Sequence, residues 1–285
     1  MKKIIIIAVL FFEIFIMFYS KEVITEFTKT INICLYTLMP SMFFQIFFSN
    51  ILINSNLDSF IPKKICNILN INKKEGLIIL LSIFSGYPNN IRLLKESENE
   101  YLNYSTNYIN PLFIIVTVGS LYLCNIKISI IIYLSHILSN IIMLFILKKY
   151  HKIDNYKDYK SVDIFSESLN ITIKTLSIIF SNLLLISLLV TFIKLIIHNN
   201  YLNSILISLI EFSRGIYELS SLNINIYLKG LLILISITFG SISIHFQSIC
   251  MNNKIKYIKF LLFRILNVLI SIIIYFIIVF IYTNV

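Results

Sequence analysis

Two short polar stretches interrupt this apolar chain and carry the side chains that could contact a solute. The first runs from Ser85 to Asn90 and reads Ser-Gly-Tyr-Pro-Asn-Asn; the second, from Ser241 to Gln247, has a polar residue at every second position. Amide, hydroxyl and imidazole groups donate and accept hydrogen bonds without a permanent charge. Such groups could hold a small polar molecule at membrane depth, where a full charge is costly.

The candidate substrate-binding residues lie in these two stretches and in the asparagine-rich segment before Pro111. They are Gly86, Pro88, Asn89, Asn90, Asn110, Gly240, Ser243, His245 and Gln247. The glycines would permit positive φ or a close backbone approach, and the amides would offer donors and acceptors. Structural roles stay open: helix packing for the glycines, an interfacial loop for residues 88–90, and a buried, hydrogen-bonded side chain for His245.

Whether the four alternating polar residues of the second stretch share one face depends on the backbone conformation. They are Ser241, Ser243, His245 and Gln247. In extended backbone they would all share one face, whereas a helix would scatter them. A shared polar face in so apolar a chain favours a lined cavity. The other histidines considered, His136 and His198, are isolated and peripheral in the sequence, so we interpret them as structural.

Enzyme activity is not predicted. The sequence contains no HExxH, GxSxG or phosphate-binding loop, and no inward-facing pair of carboxylates is apparent. The four cysteines are scattered without CxxC spacing, so we interpret them as small apolar fillers. We therefore predict no catalytic residues, no metal and no cofactor.

The composition defines the class of protein that must position these residues. Of the 285 residues, 58% are hydrophobic and 13% are charged, and the mean hydropathy is +0.86. These values predict an all-α polytopic protein of the cell membrane, with lipid as its main partner. The net charge of +10 sits in short loops, as the positive-inside rule predicts, so nucleic acid is not an expected partner.

The apolar run before each polar stretch is too short to cross a bilayer, because spanning takes about 20 residues. The run from Gly76 to Gly86 has a near copy from Gly230 to Gly240, with matching glycines, serines and isoleucines. We therefore predict two related halves, residues 1–160 and 161–285, with broken or re-entrant segments at 76–90 and 230–250. Paired broken segments of this kind are typical of transporter sites.

Several other features contribute to a prediction of seven to nine membrane segments. Glu13 lies inside the first apolar helix, where it is a functional candidate or packs against a polar partner. Pro40 predicts a kink or a break. Pro111 suits the first turn of a helix with Asn110 as its N-cap. The charged segment from Leu202 to Leu219 is typical of an amphipathic or re-entrant helix.

The membrane orientation is left open by two conflicting arguments. The positive-inside rule places the 63–74, 148–160 and 254–264 basic loops together on the cytoplasmic side. An inverted repeat of the two halves would instead place the 254–264 loop outside.

Four motifs, in order along nearly the whole chain, resemble one known family. Ser85–Pro88 resembles the Ser-Gly-Tyr-Pro signature of sporulation integral membrane proteins of the YlbJ type, within the nucleoside-recognition or Gate-domain proteins. Leu38–Phe43 resembles their Leu-Pro-Ser-Leu-Phe segment, and Asn110–Phe113 falls at their Asn-rich Pro-Leu-Phe segment. Phe239–Gln247 is similar to their Phe-Gly-Gly-x-x-Val-His-x-Gln motif, and Leu261–Arg264 to the Leu-x-x-Arg helix that follows it.

The resemblance implies a membrane role in bacterial endospore formation, as a channel or transporter for a nucleoside-like polar solute. The alternative is a structural or scaffolding protein of the spore membrane. A homo-oligomer and association with other sporulation membrane proteins are both left open. The chain departs from the family at Asn90 and Ile91, where a Gly-Ala pair is usual, and at Phe44, where a second proline is frequent.

Overall fold

The computed structural model describes residues 2–55, 57–153 and 163–284 of the chain. All regular structure in these ranges is helical, which confirms the all-α prediction. The predicted boundary between residues 160 and 161, and residues 154–160 of the basic loop before it, lie outside the described residues. Among the described residues, five helical stretches are long and apolar enough to cross a membrane: Ser20–Asn54, Ile126–Tyr150, Ile164–Ile196, Ile226–Met251 and Tyr257–Asn284. The protein is therefore a multi-pass membrane protein.

The α-helices are numbered in chain order. They are α1 (Lys2–Phe18), α2 (Ser20–Ile33), α3 (Met39–Asn54), α4 (Lys63–Leu69), α5 (Lys73–Ser85), α6 (Asn89–Leu93), α7 (Leu102–Ser105), α8 (Ile126–Leu147), α9 (Ile164–Ile196), α10 (Asn200–Ile210), α11 (Phe212–Ser221), α12 (Ile226–Phe239), α13 (Ser241–Met251) and α14 (Tyr257–Asn284). Two π-helical stretches, Cys34–Leu38 and Phe113–Tyr122, complete the long elements.

At Pro40, where a kink or a break is predicted, the helix is not broken but changes type. The stretch Cys34–Leu38 is π-helical and leads into α3, so the chain stays helical from Ser20 to Asn54. Proline cannot donate to the preceding turn and crowds it. Placing Pro40 in the first turn of α3 accommodates both effects, because the π-helical turn before it has wider spacing.

One side of the molecule, here called the lysine-rich face, gathers three basic segments. The Lys254 ammonium donates to the Lys95 carbonyl at 2.6 Å. The His151 ring bonds the Leu69 carbonyl at 2.8 Å, next to the end of α8. The structure therefore joins the 63–74, 148–152 and 254–259 segments on one face, which the positive-inside rule predicts to be cytoplasmic.

The α5–α6 segment enters from the lysine-rich face and returns to it. A capping box starts α5: the Asn72 side chain accepts from the Glu75 N–H, and Glu75 reaches back to the Asn72 N–H. The helix ends at Gly86, and α6 leads directly to Lys95 on the same face. Residues 76–90 therefore form a re-entrant hairpin.

The α10–α11 segment is a second hairpin, and it enters from the opposite face. The break falls at Glu211, whose carboxylate caps α11 by accepting from the Ser213 and Arg214 N–H groups at 3.0 and 2.6 Å. The two arms touch at Gly215, where an added Cβ would lie 2.0 Å from the Ser208 Cα. The charged stretch 202–219 is therefore re-entrant rather than a surface helix.

Two further segments cross between the faces with a break in the middle. From α12 to α13 the chain bends at Gly240. From α7 to the π-helix Phe113–Tyr122 it is non-helical over residues 106–110. The Asn110 oxygen accepts from the Leu112 N–H at 2.8 Å, which confirms the predicted N-cap.

The topology removes the conflict between the two orientation arguments. The α5 helix enters from the lysine-rich face and α12 from the opposite one, so the two glycine-bounded runs are antiparallel. Of the two predicted broken segments, 76–90 is re-entrant and 230–250 crosses between the faces with a break at Gly240. The three basic segments therefore lie on one face although the two glycine-bounded runs are antiparallel.

Candidate functional site

The broken ends of α5 and α12 meet at the centre of the protein. The Tyr87 hydroxyl, just past the end of α5, donates to the Ile237 carbonyl in the last turn of α12 at 2.9 Å. Gly86 and Gly240 follow these helices with φ of +70° and +85°, as the sequence predicted. Glycine suits both positions because other residues rarely adopt positive φ.

At Gly86 the hairpin tip packs directly on the non-helical segment 106–110. An added Cβ on Gly86 would lie 2.7 Å from the Asn110 backbone nitrogen. The Tyr87 N–H donates to the Tyr108 carbonyl at 2.8 Å, and the Tyr87–Pro88 peptide bond is cis. Pro88 turns the chain into α6, so its position is that of a hairpin tip.

At Gly240 the chain makes room for a buried cation, Arg264 of α14. The Arg264 guanidinium donates to the Phe239 and Ile237 carbonyls at 3.0 and 3.3 Å. These carbonyls end α12, where the helix dipole is negative. Arg264 is 1% exposed, and an added Cβ on Gly240 would lie 2.9 Å from its Nη2. Glycine is favoured at position 240 by the positive φ, and the guanidinium lies close to the place that a Cβ would take.

Arg264 is bound without a negatively charged partner. No carboxylate of the described residues forms an ion pair with it, and its Nη1 has no hydrogen-bond partner there. The ring of Tyr87 lies 5.7 Å from the guanidinium carbon. A buried cation with an unpaired donor inside a membrane protein is a candidate group for binding an acceptor.

His136 lies in this centre and not at the periphery, which corrects the interpretation of its position. Its Nε2 accepts from the Ile109 N–H at 3.1 Å, so the neutral ring carries its proton on Nδ1. That nitrogen lies 3.1 Å from the Thr238 hydroxyl. The ring therefore joins the non-helical segment 106–110 to the last turn of α12, which is a structural role.

The second polar stretch is helical, so the extended form considered for it is wrong. Over α13, positions two apart are rotated by about 200°, and the alternating residues point in different directions. All four are nevertheless buried, because the helix is covered on most sides and only a strip around Phe246, 52% exposed, faces outwards. The alternation reflects this broad buried arc. His245 donates from Nε2 to the Phe239 carbonyl at 3.0 Å.

Several buried polar atoms on the touching helices α6 and α13 have no hydrogen-bond partner among the described residues. Both amide atoms of Gln247 are in this state, and Gln247 is 0% exposed. The others are Asn89 Nδ2, Asn90 Oδ1, His245 Nδ1 and Ser248 Oγ. Buried polar groups are normally satisfied by protein, water or a ligand. This group of atoms is therefore the best candidate for solute contact.

Other predicted site residues are engaged in internal bonds. The Asn110 Nδ2 donates to the Ser41 carbonyl at 2.7 Å, and its oxygen caps the following turn. The Asn90 Nδ2 donates to the Thr106 carbonyl at 2.9 Å. Ser243 pairs with Ser241 at 2.9 Å between hydroxyl oxygens. The structure thus brings the nine predicted residues to one region. The polar atoms without a hydrogen-bond partner lie mainly on Asn89, Gln247 and His245.

A polar route leads from the lysine-rich face towards Asn89. A cavity of about 240 Å³ opens there, lined by Asn50, Arg92 and several charged side chains. Arg92 donates to the Asn89 oxygen at 2.9 and 3.1 Å and also to Asn50. On the opposite face a cavity of about 510 Å³ is lined by residues that include Lys194, Arg214 and Glu218.

Sequence reasoning missed Arg264 and Tyr87 as members of the site. Arg264 was grouped with the basic loop that starts at Lys254, although it lies two turns inside α14. The available signal was an arginine inside a mostly apolar helix, five residues beyond Lys259, which membrane energetics mark as a functional candidate. Tyr87 gave no comparable signal, because tyrosine is abundant in this chain.

The fold and the site define an all-helical, multi-pass membrane protein whose broken helices meet around polar groups. Searches against family models, curated proteins and solved structures find no match. The resemblance to the YlbJ-type proteins therefore stays a prediction from the motifs quoted above.

Proposed function

We propose that this protein moves a small polar solute across a membrane during bacterial endospore formation, as a channel or transporter. The observation that carries the proposal is the group of unpartnered atoms on Asn89 and Gln247 beside the two broken helix ends. Broken helices expose backbone groups and dipole ends at mid-membrane, and these can hold a solute without a full charge in hydrocarbon. The sporulation role rests on the motif resemblance.

The charge of the site supports a solute that carries a negative group. Among the described residues, Arg264 has a donor without a partner and pairs with no carboxylate. The α13 helix also begins at Ser241, next to Arg264, and the N-terminal end of a helix favours negative charge. The resemblance alone implies a nucleoside-like solute. The geometry favours one that bears a carboxylate or a phosphate.

Uptake into proteoliposomes tests the transport proposal. A panel of labelled nucleosides, nucleotides and small dicarboxylates would be compared in wild type and in Arg264→Gln. We expect uptake of at least one anionic solute and its loss in the variant, while Lys256→Ala, an exposed change, keeps wild-type uptake. Absence of uptake for every member of the panel would count against transport, and unchanged anion uptake in Arg264→Gln would remove the proposed role of the cation.

The two glycines test whether the broken geometry is needed. Gly86→Leu and Gly240→Leu are expected to abolish function in sporulating cells while protein is still made, because each side chain would collide with Asn110 or Arg264. Microscopy of spores from these strains, and from a deletion strain, measures the outcome. Normal spore envelopes in the deletion strain would contradict the sporulation role.

The scaffolding alternative is favoured by one observation. Asn90 and Asn110 use their amide nitrogens on backbone carbonyls within the chain, as purely structural residues do. A scaffold would tolerate Gln247→Leu, because neither amide atom of Gln247 has a partner among the described residues and the change leaves no other donor or acceptor unpaired. A transporter would lose uptake in this variant while keeping its thermal stability.

A further inference from the structure

A second feature lies on the lipid-facing side, away from the central site. A groove of about 500 Å³ runs between α1, α9 and α13, and its walls are almost entirely apolar. The rings of Phe11 and Phe15 hold α1 on α9 by packing on Phe192, with centroids 6.0 and 5.7 Å apart. The groove opens beside this contact.

Two polar side chains face the groove, Glu13 of α1 and Asn182 of α9. Glu13 is exposed and forms no hydrogen bond or ion pair with any described residue. The Asn182 Nδ2 donates to the Ile178 carbonyl at 2.8 Å, which leaves its oxygen towards the groove. The Glu13 carboxylate and the Asn182 oxygen are both hydrogen-bond acceptors. A group that binds to them in the groove would therefore be a hydrogen-bond donor.

The depth of Glu13 follows from the charges on α9. Lys174 and Lys194 are 20 positions apart, which is about 30 Å along a helix and equals the thickness of the hydrocarbon core. The groove residues of α9, from Asn182 to Leu189, lie between these lysines. Glu13 therefore stands near the bilayer centre, facing lipid, where an unpartnered carboxylate is costly.

We propose that this groove binds one transmembrane helix of a partner protein that carries lysine or arginine at its centre. Lipid headgroups do not reach this depth. A second copy of this chain fits less well, because parallel copies hold equal residues at equal depth. The exposed lysine nearest to Asn182 along α9, Lys174, is eight positions away, or about 12 Å, which is further than its side chain extends.

The test measures binding of designed transmembrane peptides to the full-length protein in lipid bilayers by energy transfer. Three Leu-Ala peptides would be compared: one with a central lysine, one with a central leucine, and one with lysine moved two turns towards an end. We expect the central-lysine peptide to bind about tenfold more tightly than the other two. The difference is expected to vanish in Glu13→Gln.

Glu167→Gln, a change at the α9 end near the lysine-rich face, serves as the matched control and is expected to keep the preference. Equal binding of all three peptides, or a preference that survives Glu13→Gln, would overturn the proposal. A dimer in the bilayer that dissociates in Glu13→Gln would also overturn it, in favour of a second copy as the occupant. Solute uptake is expected to be unchanged in Glu13→Gln, so this test is independent of the proposed transport function.

Discussion

The two hairpins have similar shapes but are held at their bases by different forces. The base of α5–α6 is fixed by Glu75, 1% exposed, which accepts from Asn99 at 2.8 and 2.9 Å and from Ser97. Asn99 in turn exchanges two bonds of 2.7 Å with the Lys152 backbone. This base is therefore attached to the end of α8 through buried hydrogen bonds that pass from Glu75 through Asn99 to the Lys152 backbone.

The base of α10–α11 is instead held by ion pairs. Arg214 of α11 pairs with Glu26 of α2 at 2.9 Å and with Glu218 at 3.0 Å. Lys194 of α9 pairs with Glu218 at 2.7 Å and with Glu26 at 3.3 Å. Cavities of about 500 and 510 Å³ open beside this ion cluster. The ion pairs at the base of α10–α11 are therefore partly accessible to water, with Lys194 and Glu218 23% and 22% exposed, whereas the base of α5–α6 is buried.

The largest effect is expected from the contact between the arms of α10–α11. In Gly215→Ala the new methyl group would lie 2.0 Å from the Ser208 Cα. A backbone atom cannot move away by a change of rotamer, as a side chain can. Overpacking of this kind should cost about 3 kcal/mol or more. In the other hairpin, Gly76→Ala meets only the Ile61 side chain at 2.9 Å and should cost far less. Thermal unfolding of both variants in detergent measures the difference, and equal losses would contradict the close contact.

A smaller but more specific loss is expected in the ion cluster. Arg214→Gln leaves Glu26 paired with Lys29 and Lys194, so we expect a loss of about 1–2 kcal/mol, less than for a buried charge without any partner. The double change Arg214→Gln with Glu26→Gln should cost less than the sum of the two single losses, because each single change already removes the same ion pair. A double-mutant cycle by chemical unfolding gives the coupling energy. Additive losses would show that the two side chains do not interact.

The smallest effect is expected for an ion pair without burial. Lys256 bonds Glu100 at 3.2 Å, but its side chain is 63% exposed, so Lys256→Ala should cost less than about 1 kcal/mol. Partial burial raises the pKa of Glu100, yet the hydrogen bonds from Tyr104 and Lys256 outweigh it and hold that pKa below its ordinary value. The stabilisation that the ionised Glu100 gives to the folded protein is therefore present at neutral pH and lost as the pH falls through the lowered pKa. A loss as large as that of Arg214→Gln would contradict the role given to burial.

The fold class and the breaks could be predicted because they depend on local signals. Apolar length, the glycines at 86 and 240, and Asn110 before Pro111 each act on neighbouring backbone. The conformation of residues 241–247 could not be predicted from alternation, because burial on nearly all sides of α13 produces the same pattern. The helices that cover each side of α13 are determined by tertiary packing, not by local sequence.

The centre of the site could be predicted only in part, because it too depends on tertiary packing. Asn89 and Gln247 stand out as polar residues in apolar runs. Arg264 joins them through a contact between α14 and the end of α12 that no spacing along the chain encodes. The break at Glu211 was likewise not predicted as a helix cap, because its role depends on the packing of α10 against α11.

The most direct test of the central claim is thiol labelling at position 247 in a protein without its native cysteines. We expect Gln247→Cys to react with small membrane-impermeant reagents, and faster with an anionic than with a cationic one because of Arg264. Ile242→Cys, on the outward side of the same helix, should react with neither. A Gln247→Cys protein that stays unlabelled by both reagents would show that the polar centre is closed packing and not a solute site.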